Sequence, residues 1–181
     1  MGNLKSMMYL DLSYCNFTGS VPISLGNLTQ ITHLDLHANK FTASIPTSLG
    51  NLTKLTFLDL SYNSFSVFLP LSLLNLPNLS TLYLRYNQLV GPLLNHVKLL
   101  NLIDFSISSN FLNGTLPSWL FNLPSLLRLN LDRNQFIGEI GEFKSNSLEY
   151  LDLGYNKLHG STPRSISRFV NLISLSLSSN M

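Results

Sequence analysis

The sequence predicts an α/β solenoid, in which about eight similar coils of 22–24 residues stack along a parallel β-sheet. The pattern L-x-x-L-x-L-x-x-N recurs eight times in the 181 residues, and successive copies of its last position are 24, 24, 24, 23, 24, 22 and 24 residues apart. Only 11% of the residues are charged, against about 25% in ordinary globular chains. A register this regular indicates one domain, 1–181, built by repetition.

Each repeat begins with a short strand. Leu34-Asp35-Leu36 alternates apolar and polar residues, so both leucines lie on one face of a strand. One such strand cannot bury its apolar face alone, but a parallel stack of them forms a continuous core. Each buried leucine in that core contributes about 1.5–3 kcal/mol.

The last position of the pattern turns the chain toward the core. A buried amide without partners costs about 1–3 kcal/mol for each unpaired group, so we expect these asparagines to hydrogen-bond to the backbone of adjacent coils. The positions of this structural ladder are Cys15, Asn39, Asn63, Asn87, Asn110, Asn134, Asn156 and Asn180. Cys15 is the single cysteine, and we expect its thiol to be buried and to serve packing.

The second half of each repeat indicates which class of repeat this is. In Phe17-Thr18-Gly19-Ser20-Val21-Pro22 the glycine permits a tight turn and the proline fixes φ, and a following Ser-Leu-Gly-Asn-Leu suits a short helical turn. This element resembles the plant extracellular class of leucine-rich repeats. The segments LPSWLFNLP (116–124) and SLEYLDLGYNKLHG (147–160) extend the resemblance to the ectodomains of plant leucine-rich-repeat receptor-like proteins, including the tomato fungal-resistance type.

The resemblance implies a curved, right-handed superhelix with a parallel sheet on its concave side. It also implies an extracellular module that binds a peptide or protein ligand, of microbial origin if the parent protein serves pathogen perception and defence signalling. That parent would lie at the extracellular face of the plasma membrane and signal through co-receptor kinases. Three alternatives stay open: the ectodomain of a receptor kinase, a soluble polygalacturonase-inhibitor-like protein, and a non-functional receptor fragment.

The two ends of the chain bear on its domain organisation. Leu4 already belongs to a repeat, and the chain stops one residue after Asn180, without a signal peptide or a membrane helix. We therefore expect an internal segment of a larger ectodomain, uncapped at both ends and prone to aggregate by itself.

The polar positions between the strand leucines should face outward and form the binding surface. Tyr and Arg are frequent at binding hot spots, whereas stacking of tyrosines on cross-strand neighbours is the competing interpretation. The candidate ligand-binding residues, all expected on the concave face, are Tyr14, Phe57, Tyr62, Tyr83, Arg85, Tyr86, Arg128, Arg133 and Tyr155.

Other functions find little support in the sequence. The net charge is +2 and the basic residues are scattered, so we expect no nucleic-acid partner. His33, Asp35 and His37 share a strand face, but we expect no metal site, no cofactor and no membrane contact by this segment. Nucleophile-elbow and phosphate-loop motifs are missing, so we expect no enzyme and no catalytic residues.

Five Asn-x-Ser/Thr acceptors make N-glycosylation a candidate modification. They are Asn16, Asn27, Asn51, Asn78 and Asn113. Their number is close to chance for a chain so rich in Asn, Ser and Thr, but none lies among the outward positions of the predicted concave strands.

Overall fold

The structure is a computed structural model that describes residues 4–95, 97 and 99–181. Two parallel sheets run along the repeats. The eight-stranded sheet contains β1 (Tyr9–Asp11), β3 (His33–Asp35), β5 (Phe57–Asp59), β7 (Thr81–Tyr83), β9 (Asp104–Ser106), β11 (Arg128–Asn130), β13 (Tyr150–Asp152) and β15 (Ser174–Ser176). The seven-stranded sheet contains β2 (Thr18–Gly19), β4 (Lys40–Ala43), β6 (Ser64–Val67), β8 (Gln88–Pro92), β10 (Phe111–Thr115), β12 (Gln135–Glu139) and β14 (Lys157–His159).

The eight-stranded sheet confirms the predicted solenoid of about eight repeats. Each strand pairs in parallel with the same positions of the next repeat, so that Leu34 lies beside Leu58 and Leu58 beside Leu82. The central residue of each internal strand, Phe105 in β9 and a leucine in the others, is buried, and the buried side chains form one cluster from Val21 to Phe169. The spacing of 22–24 residues therefore sets the register of the sheet directly.

The seven-stranded sheet was not predicted. The segments after the ladder asparagines, interpreted from the sequence as tight turns, are extended and pair with each other in parallel, as Phe111 does with Val90. The expected glycine conformation is present, with φ of +79° at Gly19 and +76° at Gly114. Ala43 and Val67 replace this glycine and still take positive φ, at +64° and +70°. The backbone therefore keeps its left-handed turn at these two positions, although a side chain at positive φ has a steric cost.

Short 3₁₀ helices complete five of the coils within the described part of the chain. They span Ile23–Asn27, Thr47–Asn51, Leu73–Asn75, Ser118–Asn122 and Arg164–Arg168. A proline in extended conformation precedes four of them. The fixed φ of proline suits the position before a helix, where its missing N–H is not needed. In the described residues, no helix is long and apolar enough to cross a membrane.

The side-chain amides of the asparagines link neighbouring coils. Asn87 donates from Nδ2 to the carbonyls of Leu60, at 3.0 Å, and of Leu84, at 3.1 Å. Its Oδ1 accepts the backbone N–H of Phe65, at 3.0 Å. The same pattern is formed by Asn39, Asn63, Asn110, Asn134, Asn156 and Asn180. One amide per repeat therefore satisfies the backbone groups that the turn leaves unpaired.

Cys15 differs from the expectation of a buried thiol. It is exposed, and within the described part of the chain its thiol donates to a single acceptor, the carbonyl of Ser13, at 3.2 Å. The physical reason is its place in the first repeat, where β1 has a neighbouring strand on one side only. The last repeat shows the same effect: Leu175 is 43% exposed, whereas the equivalent Leu34 is fully buried.

Candidate functional site

The outward face of the eight-stranded sheet carries continuous rows of side chains across the repeats. One row, aligned by the strand register, is Tyr9, His33, Phe57, Thr81, Asp104, Arg128, Tyr150 and Ser174. The next row is Asp11, Asp35, Asp59, Tyr83, Ser106, Asn130, Asp152 and Ser176. The first three strands therefore present aromatic and acidic side chains, and Arg128 lies on the sixth strand.

Stacked rings cover the first part of this face. The His33 ring lies between Tyr9 and Phe57, with centroid separations of 4.2 and 4.1 Å and nearly parallel planes. Tyr83 meets Phe57 edge-on at 5.9 Å. Phe57 and Tyr83 are therefore only partly exposed, because neighbouring rings cover part of each side chain.

A second aromatic group lies where the chain leaves the sheet. Tyr14, Tyr62, Tyr86 and Tyr155 are exposed, and each has a positive φ of 50–54°. The rings of Tyr62 and Tyr86 stack at 4.4 Å. Each of these tyrosines lies three residues after the end of its strand, where the backbone is left-handed.

The three candidate arginines lie against tyrosine rings but differ in their charge partners. The Arg85 guanidinium lies 5.6 Å from the Tyr62 centroid and 5.8 Å from that of Tyr83, and no carboxylate of a described residue lies within 4 Å of it. Arg128 lies over Tyr150 and pairs with Glu149 at 3.2 Å.

Arg133, like Arg128, has both a tyrosine ring and a carboxylate as neighbours. Its guanidinium carbon lies 4.5 Å from the Tyr155 centroid, and it pairs with Asp132 at 3.3 Å. Among the three candidate arginines, Arg85 is therefore the one whose charge is not neutralised by a described neighbour.

A hollow of about 340 Å³ opens in the middle of this face. Tyr83 and Arg85 form one wall, Arg128 and Tyr150 the other, and Ser106 lies between them. It forms because the fifth repeat presents small serines where its neighbours present Tyr and Arg. The Ser106 hydroxyl is buried and has no hydrogen-bond partner among the described residues.

Tyr83 and Asp104 are bonded at the edge of the hollow. The Tyr83 hydroxyl donates to the Asp104 carboxylate at 2.8 Å. Burial, together with the hydrogen bond and negative charge of Asp104, raises the pKa of Tyr83 well above its ordinary value. Tyr83 therefore remains a neutral donor, and Asp104, which also lies 3.8 Å from Arg128, is already engaged.

The aspartate row has a structural role at the strand ends. Asp35 Oδ1 accepts the backbone N–H of His37 at 2.9 Å, and Asp59 Oδ1 accepts that of Ser61 at 2.8 Å. Asn130, in the same row, accepts the N–H of Asp132 at 3.0 Å. An amide thus performs this role as well as a carboxylate does.

His33, Asp35 and His37, which share a strand face in the sequence pattern, do not come together as one group of possible metal ligands. One ligand atom each of Asp35, His37 and Asp59 lies within 4.8 Å of the others, whereas His33 is held in the ring stack. Burial raises the pKa of Asp35, and the neighbouring Asp59 and Asp11 carboxylates raise it further against the opposing hydrogen bond from His37.

The five glycosylation acceptors are all exposed and lie outside the eight-stranded sheet. Asn27 and Asn51 end 3₁₀ helices, and Asn113 lies within β10. The amide of Asn78 already donates to the carbonyl of Thr53, at 2.8 Å.

The hollow around Ser106 was missed by the sequence reasoning. The available signal was the set of small residues Ser106, Ser108 and Ser109 at outward positions, between repeats that present Tyr83, Arg85 and Arg128.

Comparison with known families supports the repeat assignment. The Leucine Rich Repeat model matches residues 6–28, 30–52, 54–76 and 147–169, just over half of the chain. No curated protein sequence matches. The repeats between 77 and 146 escape the family model but keep the same strand register.

Solved plant receptors match along almost the whole chain. The ectodomain of the membrane receptor kinase GASSHO1/SCHENGEN3 from Arabidopsis thaliana, in complex with CASPARIAN STRIP INTEGRITY FACTOR 2, is 34% identical, with a TM-score of 0.93 over 99% of this chain and 22% of that one. The Arabidopsis receptor kinase HAESA, in complex with the peptide hormone IDA and the co-receptor SERK1, is 33% identical, with a TM-score of 0.94 over 99% and 31%.

PEPR1, in complex with AtPEP1, is 36% identical, with a TM-score of 0.91 over 98% of this chain and 26% of that one. The chain thus spans between about a fifth and a third of the length of these receptors. The chain belongs to the leucine-rich repeat family and is similar, over almost its whole length, to the ectodomains of plant receptor kinases.

Proposed function

We propose that this chain is the ligand-recognition part of a plant cell-surface receptor, which binds an extended peptide or a small protein face along its eight-stranded sheet. Eight strands about 4.8 Å apart span about 34 Å, the length of roughly ten extended residues. The solved relatives that include a peptide hormone support this class of ligand. We propose that the segment acts by binding and carries no catalytic step.

The hollow between Arg85 and Arg128 is the observation that carries the proposal. A flat sheet face offers a ligand little to hold, whereas a recess with aromatic walls and a few polar groups can anchor one side chain. Arg85 is held by tyrosine rings but lacks a carboxylate partner among the described residues. Its guanidinium is therefore available to a ligand.

The groups in the hollow favour a ligand with a carboxylate. The planar guanidinium of Arg85 can donate two parallel hydrogen bonds to such a group. The Asp104 carboxylate repels a bound carboxylate only weakly, because it already accepts a hydrogen bond from Tyr83 and lies 3.8 Å from the Arg128 guanidinium.

The biological setting is a separate part of the proposal. HAESA, whose complex includes a co-receptor, supports a parent protein at the plasma membrane that signals through partner kinases. A role in pathogen perception rests on the resemblance to fungal-resistance receptors alone. Peptide recognition is therefore the function we put forward.

A peptide selection tests the proposal. Linear peptides of random sequence displayed on phage are selected on the purified chain, and synthetic copies are titrated by calorimetry. We expect the binders to share an acidic residue, and we expect Arg85→Ala to weaken them about tenfold or more, as at a binding hot spot. Tyr86→Ala should weaken them as well.

Lys40→Ala is the matched control, since it removes an exposed basic side chain on the seven-stranded sheet. If Lys40→Ala abolishes binding while Arg85→Ala and Tyr86→Ala leave it unchanged, the eight-stranded sheet is not the binding surface. Selected peptides without acidic residues would contradict the ligand chemistry but not the surface.

A further inference from the structure

Apolar side chains are concentrated on the outward face of the seven-stranded sheet in its middle strands. The cluster, called here the side cluster, consists of Val67, Val90, Phe111 and Ile137 on these strands and of Phe68 directly after β6, each between 38% and 60% exposed. Outward positions of β2 and β4, such as Thr18, Lys40 and Thr42, are polar instead. A contiguous exposed apolar cluster on a soluble surface indicates that something covers it.

Asn113 lies on β10 between members of the side cluster. Phe111 and Thr115 flank it on β10, and the burial pattern places all three on the outward face. The register sets Phe111 opposite Val90, and Thr115 opposite Ile137. Asn113 itself lies opposite Pro92 on β8 and Gln135 on β12, and the apolar Phe111, Val90 and Ile137 occupy the nearest outward positions beyond them.

Asn113 is also an N-glycosylation acceptor, within Asn113-Gly114-Thr115. Asn113 and Thr115 are both exposed, and Asn113 makes no side-chain hydrogen bond with any described residue. Asn78, in contrast, uses its amide to bind Thr53. The amide of Asn113 is thus open to modification.

We propose that Asn113 carries an N-linked glycan, and that its first sugars lie on the side cluster and cover it. Sugar rings present C–H faces that can pack on Phe111, while their hydroxyl rims remain in water. A bulky, solubilising modification at this centre removes the exposed apolar surface without hindering the eight-stranded sheet. The proposal rests on the extracellular setting of the proposed function, since the modification belongs to the secretory route.

The covalent step is a glycosyl transfer. The donor is an oligosaccharide linked to a polyprenyl diphosphate. The Nδ2 atom of Asn113 forms a bond to C1 of the first sugar, and the bond between C1 and the diphosphate oxygen breaks. The amide loses one proton, the lipid diphosphate leaves with the electron pair, and no oxidation or reduction takes place.

Secretion of the chain from plant cells behind an added signal peptide tests the proposal apart from peptide binding. Asn113→Gln removes the acceptor, Thr115→Ala removes it while leaving Asn113 in place, and Thr115→Ser retains it. Asn51→Gln is the matched control, since it removes an acceptor at the end of a 3₁₀ helix, away from the side cluster. Intact mass reports occupancy, and an environment-sensitive apolar dye reports the exposed cluster.

We expect Asn113→Gln and Thr115→Ala each to lose the mass of one glycan and to raise dye fluorescence about twofold or more, as an uncovered apolar cluster should. Thr115→Ser and Asn51→Gln should leave dye fluorescence at the wild-type level. Adding Phe111→Ser to Asn113→Gln should return the fluorescence toward that level. Absence of a glycan at Asn113 in the wild type, or unchanged fluorescence in both acceptor-removing variants, overturns the proposal. Peptide binding should be the same with and without this glycan.

Discussion

The rings of Tyr62 and Tyr86 stack with their centroids 4.4 Å and their planes 19° apart, although the backbone of each residue is left-handed. A left-handed residue with a side chain costs about 1–2 kcal/mol, which glycine avoids. Stacking of two rings contributes about 0.5–1.5 kcal/mol. The contact therefore offsets part of the backbone strain while leaving the ring edges exposed.

This relationship predicts an unusual order of stability at position 62. Tyr62→Ala loses the stacking and keeps the strain, whereas Tyr62→Gly loses the stacking and relieves the strain. We expect Tyr62→Gly to be more stable than Tyr62→Ala by about 1 kcal/mol in urea unfolding. Thr81 is the control, since it lies in extended strand β7, where glycine should be worse than alanine by about 0.5–1 kcal/mol. The same order at both positions would contradict this account.

The asparagine ladder predicts a large effect from one amide. Asn87→Ala leaves the N–H of Phe65 and the carbonyl of Leu60 without these partners in a buried site. We expect a loss of about 2–5 kcal/mol in the free energy of unfolding, since each unpaired group costs about 1–3 kcal/mol. Urea unfolding followed by circular dichroism measures it.

Cys15→Ala is the matched control at the same position of the first repeat. Its exposed thiol makes one weak hydrogen bond, so we expect a loss within about 0.5 kcal/mol. Equal losses in Asn87→Ala and Cys15→Ala would show that the amide does not join the coils in the way described.

Close stacking of the 3₁₀ helices predicts intolerance at Gly26. A β-carbon at Gly26 would collide with the backbone carbonyl of Ser48 in the next coil, and backbone cannot move aside cheaply. We expect Gly26→Ala to cost about 1–3 kcal/mol by overpacking.

Gly19→Ala separates this collision from the loss of glycine itself. A β-carbon there meets open space, so only its positive φ opposes the change, at about 1 kcal/mol. A smaller loss for Gly26→Ala than for Gly19→Ala, measured by urea unfolding, would exclude tight stacking of the coils.

The aspartate row predicts opposite pH effects at two neighbouring positions. Burial and the nearby carboxylates raise the pKa of Asp35, so its ionisation disfavours the folded state as pH rises through the range between its unfolded and folded pKa. Asp35→Asn should therefore be more stable than the wild type at pH 7, and this advantage should vanish in acid below the ordinary carboxyl range. Asn130 shows that an amide can keep the strand-end hydrogen bond.

Asp11 supplies the contrast, because hydrogen bonds from Ser13 lower its pKa. Its ionised form favours the folded state, and that contribution is lost as pH falls through its folded pKa. Asp11→Asn should therefore be less stable than the wild type at pH 7, with the gap closing in acid. Thermal unfolding between pH 3 and pH 7 measures both variants, and shifts of equal sign would contradict the assignment.

Much of the fold could be predicted because the sequence repeats at nearly constant spacing, so that equivalent residues of successive coils become neighbours. Leu34, Leu58 and Leu82 are buried neighbours because equal coil lengths bring equal positions together. The outward rows of Phe57 and Asp59 follow from the same period. Sequence spacing thus determined the strand order, the register and the place of each ladder asparagine.

The tertiary structure alone decided what depends on contacts between coils. His33 stacks between Tyr9 and Phe57, whereas His37 lies beside Asp35 and Asp59. The two histidines differ because each side chain packs against its neighbours on adjacent strands. The second sheet formed because aligned coils bring extended segments side by side. The hollow above Ser106 arose where small side chains met large ones in the next repeats, which no single repeat specifies.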